Sequence, residues 1–174
     1  MFNKIFLLVT VLFSFSHAVD EFSSERLLGI EVGYTSLESE NAIGINETLK
    51  NAEFGLKIGT QNEEWRTQLI GNFFTKDGVK SQKVMLQFDH FVWSSLYKID
   101  NIVFKPYLGG HIGWMKYTDD VSSSDNSMVY GGQLGVSWNV LNEVDFDLGY
   151  RYSVTNIEKL SNIGTVAFGV NYIY

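Results

Sequence analysis

The chain repeats one pattern eight times: apolar or aromatic residues stand at every second position, with small or polar residues between them. A strict period of two predicts a strand with one apolar face. The eight copies cover about 26–36, 50–60, 63–75, 82–97, 102–117, 128–139, 143–155 and 162–174. The sequence therefore predicts an all-β fold built from eight strands.

The last copy of the pattern runs to the final residue, which is an aromatic one. Val166, Phe168, Val170, Tyr172 and Tyr174 form its apolar face. In a soluble domain, a terminal strand with a free edge invites aggregation. In a closed membrane barrel, the last strand pairs with the first. We therefore expect an antiparallel, up-and-down transmembrane β-barrel whose last strand pairs with 27–34.

Residues 1–18 have the three-part pattern of a secretory signal peptide. Lys4 supplies the positive charge, 5–15 is mostly apolar, and small residues in Ser16-His17-Ala18 mark a cleavage site. A transmembrane helix needs about 20 apolar residues, and this run is shorter. We expect cleavage after Ala18, which leaves 19–174 as a single barrel domain.

Composition excludes several classes of protein. The chain has no cysteine, so it can carry neither a lipid-modified amino-terminal cysteine nor a disulfide. Its net charge of -7 argues against nucleic acid as a partner. Past residue 18, no stretch is long and apolar enough for a membrane helix. A barrel remains compatible, because its strands place apolar residues only at alternate positions.

The connections and the aromatic residues predict how the barrel lies in the membrane. An even number of strands places both termini on the periplasmic side, and longer loops are expected on the outer side at 37–49, 76–81, 118–127 and 156–161. Short turns are expected at 61–62, 98–101 and 140–142. Aromatic side chains favour the two membrane interfaces. The pattern places Trp65, Phe104, Trp138, Tyr172 and Tyr174 near the periplasmic rim, and Tyr34, Phe73, Trp114, Tyr130 and Tyr152 near the outer rim.

Charged residues recur on the inward face of the predicted strands. An eight-stranded barrel is just wide enough for side chains to fill its interior, so buried charges have to pair. We expect a salt-bridge network that closes the lumen; the alternative is a narrow ion path. The predicted network consists of Glu31, Glu53, Lys57, Arg66, Asp89, His111, Asp145, Asp147 and Arg151.

Evidence for catalysis or for a metal site is weak. Past the signal peptide, the only histidines are His90 and His111, and no serine stands at a spacing that ties it to His111. Carboxylates suit hard divalent cations, but those of the outer loops match no known motif. They are Glu38, Glu40, Glu47, Asp119, Asp120 and Asp125. We predict no catalytic residue, no metal and no cofactor.

Two segments carry a family resemblance: 105–114, with the sequence KPYLGGHIGW, and 169–174, with the sequence GVNYIY. In these two segments, the chain resembles the small eight-stranded outer-membrane barrels of Gram-negative bacteria, the OmpA/OmpX-like barrel domain. The resemblance implies a monomer in the outer membrane, in contact with membrane lipid and lipopolysaccharide. It also implies an assembly signal, read by the barrel-assembly machinery, formed by Phe168, Val170, Tyr172 and Tyr174.

The function that follows from these observations is a structural or surface-interaction role through the outer loops, without catalysis. A small ion-conducting channel is the first alternative, and a lipid-modifying outer-membrane enzyme is the second. A soluble, lipocalin-like barrel is the rival fold, and it would bury its apolar residues inward.

Overall fold

The computed structural model describes residues 24–40, 46–76, 78–92, 98–99, 102–119, 122–141, 143–157, 160 and 162–174. The predicted signal peptide, 1–18, lies outside the described residues. Eight strands form the wall: β1 (Glu25–Glu40), β2 (Asn46–Gln61), β3 (Trp65–Lys76), β4 (Val79–Phe91), β5 (Ile102–Asp119), β6 (Ser122–Leu141), β7 (Val144–Thr155) and β8 (Asn162–Ile173). A two-residue strand, Lys98–Ile99, pairs only with the start of β5.

The sheet closes into a barrel through its first and last strands. Each strand pairs antiparallel with its neighbours in sequence, and β1 pairs with β8 from Leu27↔Ile173 to Glu38↔Asn162. Beyond that ladder, the Arg26 N–H donates to the Tyr174 carbonyl at 3.0 Å, and the Tyr174 N–H donates back at 2.9 Å. The predicted closed, eight-stranded antiparallel barrel is confirmed, including the pairing of its terminal strand.

The two ends of the barrel differ from the predicted arrangement of loops. We call the end with both termini the terminal end and the opposite one the hairpin end. At the hairpin end, strands continue where loops were predicted. Strand β1 ends at Glu40 and β2 begins at Asn46, and β5 ends at Asp119 and β6 begins at Ser122. The prediction of long loops over 37–49 and 118–127 was therefore wrong. The apolar alternation stops before the strands do, because polar residues satisfy an antiparallel ladder equally well.

Strand β4 is the other element whose bounds differ from the prediction. It spans Val79–Phe91 rather than 82–97, and it starts directly after the turn at Gly78, whose φ is 79°. Its ladder with β5 ends at Phe91↔Tyr107, one position before Pro106. Proline has no N–H to donate to a ladder. The ladder therefore stops before the predicted turn at 98–101, and Lys98–Ile99 is paired with β5, so the predicted bounds of that turn were wrong.

Apolar side chains cover the outside of the wall. Leu28, Leu108 and Leu134 have exposed fractions of 56%, 60% and 56%. On β5, Phe104 and Trp114 bracket this outward face. Ten residues at about 3.3 Å each, tilted by about 40°, span about 25 Å, which matches the apolar band of an outer-membrane barrel. The outward apolar face excludes a lipocalin-like interior.

Aromatic side chains lie near both rims, as the sequence predicted. At the terminal end, Trp65 stacks on Phe88 at 4.9 Å between ring centroids, and Tyr172 stacks on Tyr174 at 6.0 Å. A second group at this end joins Phe104, Trp138, Phe146 and Phe168, with centroids 5.8 to 6.4 Å apart. The pairing register places Tyr34, Phe73, Trp114, Tyr130 and Tyr152 toward the hairpin end.

The described residues contain no helix that is long and apolar enough to cross a membrane.

Candidate functional site

The lumen of the barrel holds the predicted charged side chains, and inward-facing glycines make room for them. A Cβ atom added at Gly169 would lie 2.4 Å from Lys57 Nζ. One added at Gly149 would lie 2.2 Å from the Tyr107 hydroxyl. Because these positions carry no side chain, the long inward side chains can reach across the barrel axis. All nine residues of the predicted network are buried.

The charge network consists of layers, and Arg66 is the centre of the layer that lies toward the terminal end. Its Nε and Nη2 each donate to Asp89 Oδ2 at 3.0 Å, and its Nη1 donates to Asp147 Oδ1 at 2.8 Å. Lys57 Nζ lies 3.0 Å from the other oxygen of Asp147. The Tyr107 ring covers the guanidinium, with its centroid 4.7 Å from Cζ. Two cations and two carboxylates thus neutralise one another inside the wall.

A second layer is built around Glu31 and Arg151, nearer the middle of the barrel. Arg151 Nη1 lies 3.1 Å from Glu31 Oε1, and Asn72 Nδ2 donates to the same oxygen at 2.7 Å. Arg151 Nη2 also donates to the Gln87 side-chain oxygen at 3.1 Å. Lys57 Nζ lies 4.0 Å from Glu31 Oε2 and therefore connects this layer to Asp147.

Closer to the hairpin end, Glu53 pairs with Lys83, a residue that the sequence analysis missed. Lys83 Nζ lies 2.8 Å from Glu53 Oε2, and both side chains are almost fully buried. The period of two in β4 could have identified this residue, because Lys83 stands four positions before Gln87, on the same inward face of the strand.

Among the buried residues that the structure describes, and counting Lys83, the carboxylates outnumber the lysines and arginines by one. The five carboxylates are Glu31, Glu53, Asp89, Asp145 and Asp147, and the four cations are Lys57, Arg66, Lys83 and Arg151. The remaining carboxylate, Asp145, accepts hydrogen bonds from the amides of Gln61 and Asn139, at 3.0 and 2.8 Å.

His111 has a serine partner that sequence spacing did not reveal. Its Nε2 lies 2.8 Å from Ser153 Oγ, and its Nδ1 lies 2.7 Å from Gln133 Oε1. The Gln133 amide nitrogen donates to Asp89 Oδ1 at 2.7 Å, so its oxygen faces the ring and accepts from Nδ1. His111 and Ser153 both pair with Gly131, from opposite sides, which brings together two residues that are distant in sequence.

This Ser-His-Gln arrangement lacks the other requirements of a hydrolytic site. Ser153 is only 1% exposed, so a substrate carbonyl cannot reach its Oγ. An oxyanion hole needs free N–H donors near the nucleophile. Ser153 lies inside β7, which is paired on both sides, with Gly131 of β6 and Ile163 of β8. The geometry is that of a buried hydrogen-bonded histidine.

Apolar side chains close the lumen above the charge network. Phe74 interrupts the alternation of apolar and polar residues in β3, and its side chain lies inside the barrel. It belongs to a buried cluster at the hairpin end, which we call the apolar cap: Leu37, Phe74, Met85, Met115, Val129, Ile157, Leu160 and Ile163.

Little space remains between the charged layers. The gap bordered by Glu31, Arg66, Tyr107, Asp147 and Arg151 encloses about 20 Å³. That volume is about enough for one water molecule. A hydrated ion therefore has no continuous path through this part of the described structure.

The described residues include no group of three or more His, Asp or Glu side chains that could hold a metal ion. Of the loop carboxylates considered for a cation, Glu38 accepts a hydrogen bond from Asn162 at 3.3 Å. Asp125 lies in β6, opposite Tyr117. The side chains of Glu40, Glu47 and Asp119, and the whole of Asp120, lie outside the described residues.

Structural comparison finds the same fold in solved outer-membrane proteins. Neisserial surface protein A (NspA) has a TM-score of 0.62 at 19% identity, with 86% of this chain and 97% of that chain covered. Outer membrane protein H (OprH) of P. aeruginosa also has a TM-score of 0.62, at 20% identity, with 86% and 99% covered. OprG of Pseudomonas aeruginosa has a TM-score of 0.53 at 12% identity, with 88% and 96% covered. At these identities, the likeness concerns the fold alone.

Sequence comparison assigns the family. Comparison with curated proteins finds no match. The family model described as outer membrane protein beta-barrel domain matches residues 5–173, which is nearly the whole chain. The family, the outward apolar band and the structural neighbours agree on the bacterial outer membrane as the location. The chain therefore belongs to the outer membrane protein beta-barrel domain family.

Proposed function

We propose that the protein is a sealed, non-catalytic outer-membrane barrel that presents its hairpins for contact with other molecules at the cell surface. The observation that carries this proposal is the filled lumen, in which the charge network lies beneath the apolar cap. An ion crossing the barrel has to separate buried ion pairs such as Arg66–Asp147. Separating such a pair leaves buried charges uncompensated, which opposes steady conduction.

The surface-interaction part of the proposal is supported by strand edges at the hairpin end. Among the described residues, the ladder between β6 and β7 starts at Val129↔Thr155, so β5 is the strand that pairs with 122–128. Within the same described part of the chain, the ladder between β2 and β3 starts at Glu53↔Phe74, so β1 is the strand that pairs with 46–52. A strand edge that lacks a second ladder can accept an extended segment of another chain. The polar residues of 122–127 keep such an edge compatible with water.

Solute flux tests the sealed lumen. We expect liposomes that contain the refolded barrel to swell no faster in an isotonic sugar solution than protein-free liposomes. A general porin reconstituted at the same ratio provides the positive control. Swelling above the protein-free rate would contradict the sealed barrel and favour the channel.

Cell adhesion tests the hairpin. In the shortened variant, residues 117–125 are replaced by Asn-Gly, which keeps the Lys116↔Asn126 pair and closes it with a two-residue turn. We expect cells that display this variant to lose the adhesion to protein-coated surfaces that the intact barrel confers. Equal surface amounts and an unchanged heat-dependent gel shift establish that the barrel is intact. Undiminished adhesion, or none with the intact protein, would count against the proposal.

A further inference from the structure

A cleft opens on the outer side of the wall, at the hairpin end, where β8 lies between β7 and β1. The pairing register places Gly164 at its centre, with Tyr152 of β7 on one side and Ser36 of β1 on the other. A Cβ atom at position 164 would lie 2.9 Å from the Tyr150 hydroxyl and 3.6 Å from its Cζ, so the Tyr150 ring lies across the glycine. Because position 164 carries no side chain, the wall is concave here, and the cleft encloses about 250 Å³.

Three tyrosines form the aromatic part of the cleft. Tyr34, Tyr150 and Tyr152 line it, and their exposed fractions of 58%, 43% and 45% leave the rings accessible to a ligand. The face of an aromatic ring is electron-rich and attracts groups that carry a partial positive charge. The C–H groups on one face of a pyranose sugar ring are such groups, and many weak contacts add up across that face. The tyrosines therefore favour a ligand with a C–H face.

The polar part of the lining has no net charge. Among the described residues that line the cleft, the Glu38 carboxylate and the Lys50 ammonium cancel each other in formal charge. An ion of either sign therefore gains little from this lining. A neutral sugar gains more, because each of its hydroxyl groups can both donate and accept a hydrogen bond. The carboxylate supplies an acceptor, the ammonium supplies donors, and the Ser36 hydroxyl supplies both.

Hydrogen bonds between side chains hold the upper border of the cleft in place. The Tyr152 hydroxyl donates to Asn162 Oδ1 at 2.7 Å, and Asn162 Nδ2 donates to Glu38 Oε2 at 3.3 Å. These bonds connect β7, β8 and β1 above Gly164. A ligand therefore meets polar groups that are already ordered, which lowers the entropic cost of binding.

The cleft is open toward the water side of the membrane interface. Tyr152 belongs to the aromatic residues near the hairpin end, which mark that interface. The pair Glu38↔Asn162 lies closer to the hairpin end than the pair Ser36↔Gly164, so the polar border faces outward from the membrane. The volume is below the about 300 Å³ at which sites for drug-sized ligands begin. The cleft therefore suits one sugar unit better than a long chain.

We propose that this cleft binds one neutral hexopyranose unit of a glycan on a partner surface. The sugar ring stacks on the tyrosines, and its hydroxyl groups bond to Glu38, Ser36 and Lys50. This site rests on the surface-interaction role proposed above and gives that role a partner chemistry. It uses neither the lumen nor the strand edges. The variant shortened at 117–125 keeps every residue of the cleft, so it should bind sugar like the unaltered barrel even where it loses adhesion.

Simple methyl glycosides provide the probe. The full barrel, in a detergent without a sugar headgroup, is titrated with methyl β-D-glucopyranoside, methyl β-D-galactopyranoside and methyl α-D-mannopyranoside, followed by saturation-transfer difference NMR. We expect at least one of them to bind saturably with a Kd of about 10 mM or tighter. Sorbitol, an open-chain polyol without a ring face, should not bind. Failure of all three glycosides to reach this affinity, or equal binding of sorbitol, would overturn the proposal.

Tyrosine variants separate the cleft from general contact with exposed aromatic rings. We expect Tyr150→Leu to weaken glycoside binding at least about fivefold. Tyr130→Leu is the matched control and should change nothing, because Tyr130 is 46% exposed toward the same end but does not line the cleft. Gly164→Leu places a side chain at the centre of the cleft and should abolish binding. The heat-dependent gel shift checks that each variant is folded, and Tyr150→Leu stands independently of Gly164→Leu. Unchanged affinity in Tyr150→Leu, or equal losses in Tyr150→Leu and Tyr130→Leu, would overturn the proposal.

Bead capture identifies the source of the sugar. Cells that display the intact barrel should bind beads coated with the glycoside that binds in solution, and should not bind sorbitol-coated beads. Cells that display equal amounts of Gly164→Leu should lose this capture. Binding in solution without capture of the beads would mean that only a sugar of the barrel's own membrane reaches the cleft, and would overturn the assignment to a partner surface.

Discussion

Replacing Arg66 by methionine tests the energetics of the filled lumen. The substitution keeps most of the side-chain volume and removes three hydrogen bonds, two to Asp89 and one to Asp147. Asp147 retains Lys57 at 3.0 Å and the Asn171 amide at 2.6 Å. Asp89 retains only the amides of Gln87 and Gln133, at 2.9 and 2.7 Å, so it becomes a buried anion without a cation.

The expected loss of unfolding free energy for Arg66→Met is about 3–5 kcal/mol, since it leaves a buried charge unpaired. Adding Asp89→Asn removes that charge, and we expect the double variant to recover about half of the loss. Equilibrium unfolding by urea in lipid vesicles, followed by tryptophan fluorescence, measures both. Lys80→Met, at an exposed position, is the control and should change stability by about 0.5 kcal/mol or less. A cost below about 1 kcal/mol for Arg66→Met, or no recovery in the double variant, would refute the reasoning.

Two further predictions concern the apolar cap and the buried serine. Met115→Ala removes a fully buried side chain from the cap, and the same unfolding assay should show a loss of about 2–5 kcal/mol. Outward-facing Met128, 43% exposed, serves as the control, and Met128→Ala should cost about 1 kcal/mol or less. For Ser153, we expect no labelling by a fluorophosphonate probe in the folded barrel, because its Oγ is buried against His111. Labelling that disappears in Ser153→Ala would instead establish a reactive serine.

The face of the wall to which a residue belongs could be predicted from sequence, because a period of two leaves only two possibilities. Glu31, Lys57 and Arg151 were assigned to the lumen on this basis, and the structure places them there. The pairing of the last strand with 27–34 followed from the need to close the sheet.

The partners across the lumen could not be predicted. Periodicity assigns a face, but it does not specify the height at which a side chain meets another strand. Arg66 and Asp147 are 81 positions apart, and only the registers of four intervening ladders bring them together. The same limit hid the contact between His111 and Ser153.

The hairpin end shows a different limit of the sequence pattern. Inside the membrane, lipid selects apolar residues for the outward face, so strands are visible as alternation. Beyond the rim, both faces of a strand contact water and can carry polar residues. The strand therefore continues without the alternation of apolar and polar residues that would reveal it in the sequence. The polar segment 122–127 was for this reason predicted to be loop, although it continues β6.

Single-channel recording in a planar bilayer tests the central claim most directly, which is that this barrel is closed along its axis. The purified, full-length barrel should leave the membrane current at the protein-free baseline across the voltage range in which the bilayer is stable. Discrete, reproducible current steps that change in size when Arg66 or Arg151 is replaced would contradict a sealed lumen and establish an ion path through the charge network.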